Sequence, residues 1–433
     1  MEAVQDYEAL KASLLDAANE HGEPHWLADR RVAAVDAMVD LPLPEVRRFD
    51  YHRWPLTPIG PLQWQRSDKA LVAGIAIDDA HIQFVQVGQT TVAVNLPDEL
   101  DEAGVILTDI FSAFREHPRL TEKHFMDQII NANEDQLTAH HVAFLNGGLF
   151  LYVPKNVVID KPIEAYFVQD STQKAPMVSH VLIIAEEGAE FSFTQHLTTA
   201  GDESNAASCV AEILARPNSH VRFSSLDELG DQTTAYLNRR ARIGKNATID
   251  WAIGVLNGGN TVADFDSDLQ GEGSHADAKV ITVTTGKQKN GINTRVTNRG
   301  KHSVGHILQR GVLLEKSELV FNGIGDIIHG ASGANAEQEN RVLMLSDKAH
   351  GDANPILLID ENDVIAGHAA SVGQIDQNQM YYLMSRGIDK AKAQRLVIRG
   401  FLGAVLSAVP SKTVRQELTD VIERKLEDGQ KFK

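Results

Sequence analysis

The chain has 433 residues, and its 41 basic and 59 acidic side chains give a formal charge of −18. Such an acidic chain is a poor candidate for binding nucleic acid or anionic membrane, because both attract Lys and Arg. Its length exceeds that of one typical domain, so we expect two or three structural units.

Residues 1–139 are predicted to form an N-terminal helical and mixed region. The first residues, Met1 to Asp6, lack the basic and apolar segments of an export signal. No apolar run in the chain approaches the ~18 residues that cross a bilayer, and we expect a soluble, cytoplasmic protein. Two amphipathic helices follow, with apolar faces formed by Tyr7, Leu10, Leu14, Leu15 and Ala18 and by Trp26, Arg30, Ala33, Ala34, Ala37 and Met38.

Residues 140–376 alternate between apolar and polar positions in short segments, which predicts β-strands. A small residue begins a repeated template at intervals of 30, 28 and 27 residues, at Ala189, Ser219, Ala247 and Ser274. Ser317 and Ala349 begin the same template after a longer interval. A period of about 28 residues built from strands and turns is typical of a parallel β-helix. A β-sandwich with shorter turn intervals is the alternative.

Cys209 is the only cysteine in the sequence and lies in an apolar segment that predicts a buried strand. A single cysteine excludes an intramolecular disulfide and any site that needs two thiolates from this chain. We expect Cys209 to act as a small buried apolar residue.

Residues 377–433 return to helical periodicity. The predicted helices run from Gln377 to Leu383, from Lys390 to Val409 and from Val414 to Leu426. Because a solenoid needs a polar cover over its last coil, these helices are expected to cap the end of the stack.

Nucleotide-binding and hydrolytic motifs are missing from the sequence. Neither Gly244-Lys245 nor Gly286-Lys287 has the following Ser or Thr and the upstream glycine of a phosphate-binding loop. The H-E-x-x-H zinc helix and the G-x-S-x-G nucleophile elbow do not occur. We predict that the chain is not an enzyme by itself and that any ATP hydrolysis comes from a partner.

A signature between Phe321 and Phe401 carries a family resemblance. Its parts are Gln338, Asn340, Leu343 to Asp347, Gly367 to Gly373, Tyr382-Leu383 and Ser385 to Ile388. These residues resemble the C-terminal signature of the SufB/SufD family, whose members assemble iron–sulfur clusters. The resemblance implies a mainly β fold, with a right-handed parallel β-helix core flanked by N- and C-terminal α-helical regions. It also implies a non-catalytic scaffold subunit.

Within this signature, His368 is the candidate site residue. Val364, Ala366 and His368 are predicted to share one strand face, and neutral imidazole is a common iron ligand. The resemblance implies that His368 takes part in cluster assembly, as a metal ligand shared with a SufB-like subunit. Without the resemblance, a single strand histidine is more often structural. Gly367 replaces a frequent Ser and Ala369 stands where SufB proteins carry Glu, which indicates the SufD-type role.

The resemblance also implies partners. A SufB-like subunit would pair with an exposed strand edge of the β-helix, and a self-paired homodimer is the alternative. Two copies of a SufC-like ATPase would dock on the C-terminal helices, at Arg386, Gly387, Gly400 and Phe401. The implied cofactor is a transient iron–sulfur cluster shared with the SufB-like partner. Because clusters ordinarily take about four thiolates, this chain alone is expected to bind none.

Other histidines are candidates of lower rank. His140-His141 is predicted to lie on a strand, where adjacent side chains point to opposite faces and chelate poorly. His329 and His350 are predicted on separate turns that could approach each other across coils. For both pairs the structural interpretation, a hydrogen-bonded histidine without metal, is the alternative.

Two further functions stay open at the level of the sequence. Asp264, Asp266 and Asp268 could line the groove of a β-helix carbohydrate-active enzyme, since alternate strand residues share a face. The missing export signal and an aromatic content of 6% argue against it, and a solvated turn would explain the three aspartates. A homodimeric interaction protein without a cluster role is the other alternative.

Overall fold

The structure is a computed structural model that describes residues 7–78, 80–407, 409 and 411–431. The segment Met1 to Asp6 lies outside these residues. Two long β-sheets are formed. The first sheet contains β1 Ile82–Val87, β2 Thr90–Asn95, β5 Ile163–Ser171, β7 Glu190–Gly201, β9 His220–Glu228, β11 Thr248–Val255, β13 His275–Thr284, β15 Val304–Leu313, β17 Asn335–Met344 and β19 Ile365–Gln374. The second sheet contains β3 Ile106–Asp109, β4 Gly147–Val153, β6 Met177–Ala185, β8 Asn205–Ala215, β10 Thr233–Ile243, β12 Thr261–Leu269, β14 Lys289–Asn298, β16 Glu318–Ile327 and β18 His350–Ile359.

Helices stand before, between and after these strands. They are α1 Tyr7–Glu20, α2 His25–Asp40, α3 Asp98–Glu102, α4 Ile110–Glu116, α5 Pro118–Thr121, α6 Gln136–Phe144, α7 Gln377–Ser385, α8 Lys390–Leu406 and α9 Lys412–Lys431, with a 3-10 helix at Lys69–Val72. Among the described residues, no helix combines the length and the apolar character that a membrane span requires.

The strands from β4 to β19 form a parallel β-solenoid. Odd-numbered strands pair in the first sheet and even-numbered strands in the second, so each coil contributes one strand to each sheet. The sixteen strands of this described segment therefore make eight coils. Before the first coil the parallel order ends in two antiparallel pairs, β1 with β2 and β3 with β4. The predicted mainly β fold, a parallel β-helix core between helical regions, is confirmed.

The core lies between the two sheets, where apolar side chains of successive coils stack on one another. The small residues of the repeated template are buried, and each directly precedes a strand of the first sheet, namely Ala189, Ser219, Ala247 and Ser274. The row continues with Ser303 before β15 and Ala334 before β17, both buried.

Ser317 and Ala349 also directly precede strands, as the template predicts, but they do not belong to this row. Ser317 precedes β16 and Ala349 precedes β18, and both strands belong to the second sheet. The template does not distinguish the sheets, because both strands of a coil bury one face and alternate with the same period.

The N-terminal helices pack on the outer face of the second sheet. Leu14 of α1 and Met38 of α2 share an apolar cluster with Leu182 and Leu214. Both predicted helices are confirmed, but the predicted faces are partly wrong. On α1, Leu15 is exposed and Ala17 is buried instead. Ala33 is exposed, and Leu27 and Val35 are buried instead. On α2, burial of Leu27 and Val35 removes more apolar area from water than burial of Ala33 would.

The C-terminal helices pack on the outer face of the first sheet. Leu402 of α8 and Leu418 of α9 share an apolar cluster with Leu226, Ile281 and Val312 of that sheet. The expectation that these helices cap the last coil is therefore wrong for α8 and α9, because their apolar faces pack against the flank of the middle coils. Met380 of α7 shares a smaller cluster with Ile375 and Leu343, beside the end of β17. The last coil, β18 and β19, is left open, and eight of the ten residues of β19 are exposed.

Candidate functional site

The solenoid ends at β19, an edge strand of the first sheet. β19 pairs in parallel with β17, and no strand of the described chain pairs with its other side. Ile365 donates its N–H to the carbonyl of Ala334, on the side of β17. Because the N–H direction alternates along a strand, those of the even-numbered residues 366–374 point to the open edge. β19 thus offers unpaired backbone groups to a further strand.

The other strand of the last coil, β18, is less suited to pairing. His350 donates its N–H to the carbonyl of Ser317, on the side of β16. The odd-numbered residues of β18 therefore face the open edge, and Pro355 is among them. Proline has no N–H to donate, and it is one of the residues that protect sheet edges from pairing. A partner strand is accordingly expected on β19.

His368 lies in the middle of β19, in register with Gln338 of β17. Gln338 is buried between the sheets. Paired residues of parallel strands share a face, so the side chain of His368 is on the inward face of the open coil. His368 is exposed, and the described residues form no hydrogen bond or ion pair with its ring. An exposed imidazole without an internal partner can accept a metal ion or a side chain from another subunit.

The interior next to His368 is polar. Gln338 donates from Nε2 to the carbonyl of Ile356 at 2.8 Å, and Asn340 donates from Nδ2 to Oε1 of Gln338 at 3.3 Å. One coil earlier, Gln309 donates from Nε2 to Oγ1 of Thr294 at 2.6 Å. The apolar core of the earlier coils therefore does not extend to the inward face of β19, and it does not bury the imidazole.

Apolar side chains are also exposed at this edge, on both the inward and the outward face of the last coil. Four of them are exposed on the last coil, namely Leu358, Ile359, Ile365 and Val372. Apolar residues grouped beside unpaired backbone mark an interaction surface rather than a solvated end.

The four residues predicted to dock an ATPase lie on α8 and just after α7. Arg386 and Gly387 are exposed, and Gly387 has a φ of +87°, which favours glycine. Gly400 is exposed on α8. Phe401 is partly buried, with the guanidinium of Arg310 5.5 Å from its ring centre. Phe401 thus faces the solenoid, whereas the other three residues face solvent.

Cys209 lies in β8, and its predicted burial is confirmed. Burial raises the pKa of its thiol to about 12. A protonated thiol inside the core is not available as a cluster ligand, because the thiolate is the form that binds metal.

The prediction of a strand at His140-His141 is wrong, because both residues lie on α6 and are buried. Nδ1 of His141 is 2.9 Å from Oγ of Ser208, and its Nε2 is 3.2 Å from Nδ1 of His180. Burial lowers the pKa of His140 to about 4 and that of His141 well below its usual range. His141 therefore serves as a neutral hydrogen-bonded link between α6 and the second sheet.

The idea that His329 and His350 approach each other is also wrong. His350 is in register with Glu318 at the beginning of β16, whereas His329 follows the end of that strand at Ile327. Nine residues of strand separate these positions along the sheet, which corresponds to about 30 Å. The two histidines therefore lie near opposite ends of the paired strands β16 and β18.

The three aspartates lie on the outer face of β12, so the solvated turn is wrong. Oδ2 of Asp264 is 2.7 Å from Nη2 of Arg240, and Oδ1 of Asp268 is 2.8 Å from Nε of Arg299. Two of the three carboxylates are thus held in ion pairs. Asp266, the third, lies in register with Arg240 on one side and with Arg295 on the other.

A histidine and carboxylate cluster that the sequence analysis did not single out lies on the outer face of the first sheet. Nε2 of His275 is 3.2 Å and Nδ1 of His306 is 3.0 Å from Oδ1 of Asp277. Partial burial acts to raise the pKa of Asp277, but hydrogen bonds from the two imidazoles hold it well below its usual range. The sequence signal is a His-x-Asp strand segment followed by a histidine one coil later, 29 residues after Asp277.

Comparisons with known proteins agree with this architecture. The family described as SUF system FeS cluster assembly, SufBD core domain, matches residues 167–401, and the SufBD protein N-terminal region matches residues 79–165. The iron-sulfur cluster assembly protein SufD of Bacillus subtilis (strain 168) is 42% identical over 421 residues, which cover 94% of this chain and 96% of that protein. An iron-sulfur cluster assembly SufBD family protein of Staphylococcus haemolyticus (strain JCSC1435) is 25% identical over 405 residues, covering 90% and 87% of the two chains. The chain therefore belongs to the SufB/SufD family of the SUF system of iron–sulfur cluster assembly and is a homologue of SufD.

Proposed function

We propose that this chain is a cytoplasmic scaffold subunit, non-catalytic by itself, that pairs with a SufB-like subunit through β19. The observation that carries the proposal is the open edge of β19 with the exposed His368 at its middle. A strand added to this edge would satisfy its unpaired N–H and C=O groups. It would also cover exposed apolar side chains of the last coil, such as Ile365 and Val372.

His368 would then lie at the junction of the two subunits. The nascent cluster is the cargo of this site, and its iron would be shared between the imidazole and ligands of the partner. Thiolates must come from the partner, because the one cysteine of the chain, Cys209, is buried in the core.

The C-terminal helices supply the proposed docking surface for a SufC-like ATPase. α7 exposes Tyr381 and Tyr382, and the guanidinium of Arg386 lies 5.2 Å from the ring centre of Tyr382. Tyr and Arg are frequent in the residues that carry binding energy at interfaces. Residues 375 and 376 alone separate β19 from α7, so a movement of the docked ATPase would act directly on the edge strand.

The test is assembly of the complex followed by cluster formation. The chain is co-expressed with SufB-like and SufC-like subunits, purified through a tag on this chain alone and reconstituted anaerobically with iron and sulfide. We expect co-elution and a visible cluster spectrum. His368→Ala should lower the cluster yield about tenfold, because the cluster loses an imidazole ligand.

His350→Ala is the matched control, because His350 is an exposed histidine of the same coil. Its cluster yield should equal that of the parent protein. An unchanged yield in His368→Ala would overturn the role of His368. Elution of this chain alone, as a colourless self-paired species, would favour the homodimeric interaction protein over the heteromeric scaffold.

A further inference from the structure

The His275, Asp277 and His306 cluster has the donor set and the spacing of a metal site. His275 and Asp277 are two residues apart on β13 and share its outer face, and His306 on β15 is in register with Asp277. One ligand atom of each residue lies within 4.8 Å of those of the other two. The register of two neighbouring coils, rather than a flexible loop, holds the three side chains together.

The distances fit coordination of a first-row metal ion. Bonds of about 2.1 Å in tetrahedral or octahedral geometry separate neighbouring ligand atoms by about 3.0–3.4 Å. The separations from Oδ1 of Asp277 are 3.2 Å to Nε2 of His275 and 3.0 Å to Nδ1 of His306. The three ligands come from one side of the sheet, so further coordination positions would be open to water or another ligand.

The surroundings favour a cation. Asp250 is in register with Asp277 on one side, and Glu337 is in register with His306 on the other, so an acidic residue flanks the cluster on each neighbouring strand, one strand spacing of about 5 Å away. Nζ of Lys279 is 3.3 Å from Oδ2 of Asp277, so this ion pair does not occupy Oδ1, which faces the two histidines. Nε2 of His306 is buried without a hydrogen-bond partner among the described residues.

The site is accessible and separate from His368. α8 and α9 cover the later residues of the same strands, such as Ile281 and Val312, and leave the three ligands partly exposed. β15 and β19 are two strand spacings apart in the first sheet, which corresponds to about 10 Å. The side chain of His306 points outward, whereas that of His368 is on the inward face.

We propose that His275, Asp277 and His306 form a second metal site, which binds a divalent first-row transition metal such as Fe²⁺ or Zn²⁺. Two imidazoles and one carboxylate with open positions are the ligand set of many Fe²⁺ and Zn²⁺ sites. Mg²⁺ and Ca²⁺ prefer sites made of oxygen ligands alone and are not expected to compete. The site would hold a metal ion on this chain whether or not a partner subunit is present.

The test is a titration of the full metal-free chain with Co²⁺, in the His368→Ala background so that the edge site does not contribute. Co²⁺ has an affinity between those of Fe²⁺ and Ni²⁺, and its visible absorption reports its coordination. We expect one equivalent to bind, with no effect of excess Mg²⁺. Asp277→Asn and His306→Gln should each weaken binding about tenfold or more.

His220→Gln is the matched control. His220 forms a similar pair on the same sheet, with Nε2 2.8 Å from Oδ2 of Asp250, but Arg222 occupies the position next to its Nδ1, 3.1 Å away. This variant should bind Co²⁺ like its parent. Far-UV circular dichroism verifies that each variant is folded. Absence of saturable binding, equal binding by Asp277→Asn and His306→Gln, or an equal loss in His220→Gln would each overturn the proposal.

Discussion

Asp266 is a carboxyl group that should titrate near neutral pH. It lies on the outer face of β12, and its Oδ1 is buried without a hydrogen-bond partner among the described residues. Burial raises the pKa of Asp266 from 3.8 to about 7, although the nearby charge of Arg240 acts to lower it. The folded protein therefore retains a proton that the unfolded chain releases at lower pH.

This retained proton makes stability depend on pH. The free energy of unfolding should fall as pH rises from about 4 to about 7 and change little above that, because the folded state binds more protons in this interval. Asp266→Asn lacks this titration. As pH rises from 5 to 8, the free energy of unfolding of the variant should therefore increase by about 1–2 kcal/mol relative to that of the parent, since one pKa unit corresponds to about 1.4 kcal/mol.

Urea unfolding of the parent and of Asp266→Asn at pH 5 and at pH 8 measures this difference in the free energy of unfolding. Identical pH dependence of the parent and of Asp266→Asn would show that the carboxyl group is not buried as described. The sequence indicated an acidic cluster at this position, but the packing of β12 against neighbouring arginines decides which of the three carboxylates forms no ion pair with the described residues.

At the scale of single elements, β19 should be the pairing strand. Ala370→Pro removes an N–H on the open edge and leaves the hydrogen bonds to β17 in place. We therefore expect the free chain to keep its unfolding temperature within about 2–4 °C, which corresponds to less than about 1 kcal/mol. Co-purification with a SufB-like subunit, or self-pairing, should be lost. Thermal unfolding and size-exclusion chromatography measure the two effects.

Ala369→Pro provides the contrast, because the N–H of Ala369 points to β17. This variant should lose a ladder hydrogen bond and unfold at a lower temperature. If Ala370→Pro pairs as well as the parent chain does, the partner strand does not add to β19.

The repeated template of the strands was readable because alternation and turn residues are local. The sequence did not show to which sheet each template belongs, because coils differ in length and both strands of a coil bury one face. Ser317 and Ala349 illustrate this, because their templates match those of the first sheet while their strands pair in the second.

At the scale of the whole molecule, the two helical groups occupy opposite flanks and leave one end of the solenoid open. α1 and α2 share a cluster with the second sheet, and α8 and α9 share one with the first. α7 lies beside the end of β19 and exposes aromatic residues. This arrangement places the proposed pairing edge and the proposed docking helix next to each other.

Docking through α7 can be tested with Tyr381→Ser. Tyr381 is 76% exposed, so its loss should leave the unfolding temperature of the free chain unchanged. Capture of the SufC-like ATPase by the tagged complex should fall about tenfold, as expected for an aromatic residue that contributes about 1–2 kcal/mol to an interface.

Val39→Ser is the matched control for this experiment, because Val39 is an apolar residue of α2 that is 52% exposed on the other flank. ATPase capture should be the same as in the parent. Equal capture by Tyr381→Ser and the parent would contradict docking through α7.

Features that depend on local pattern were determined by the sequence. The alternation and the period of about 28 residues specified a parallel solenoid, and the helical spacing specified helices on both sides of it. The apolar segment around Cys209 specified its burial, and the C-terminal signature specified the family. In each case neighbouring residues in the chain carry the information, because side-chain alternation and helix periodicity act over a few residues.

Features that depend on register and on contacts between distant segments were decided only by the tertiary structure. The flank position of the C-terminal helices follows from apolar matching with the middle coils, and it leaves β19 and His368 uncovered. The cluster of His275, Asp277 and His306 exists because a coil of 29 residues brings His306 beside Asp277. Coil lengths vary along the chain, so the sequence alone did not predict which side chains of successive coils would meet.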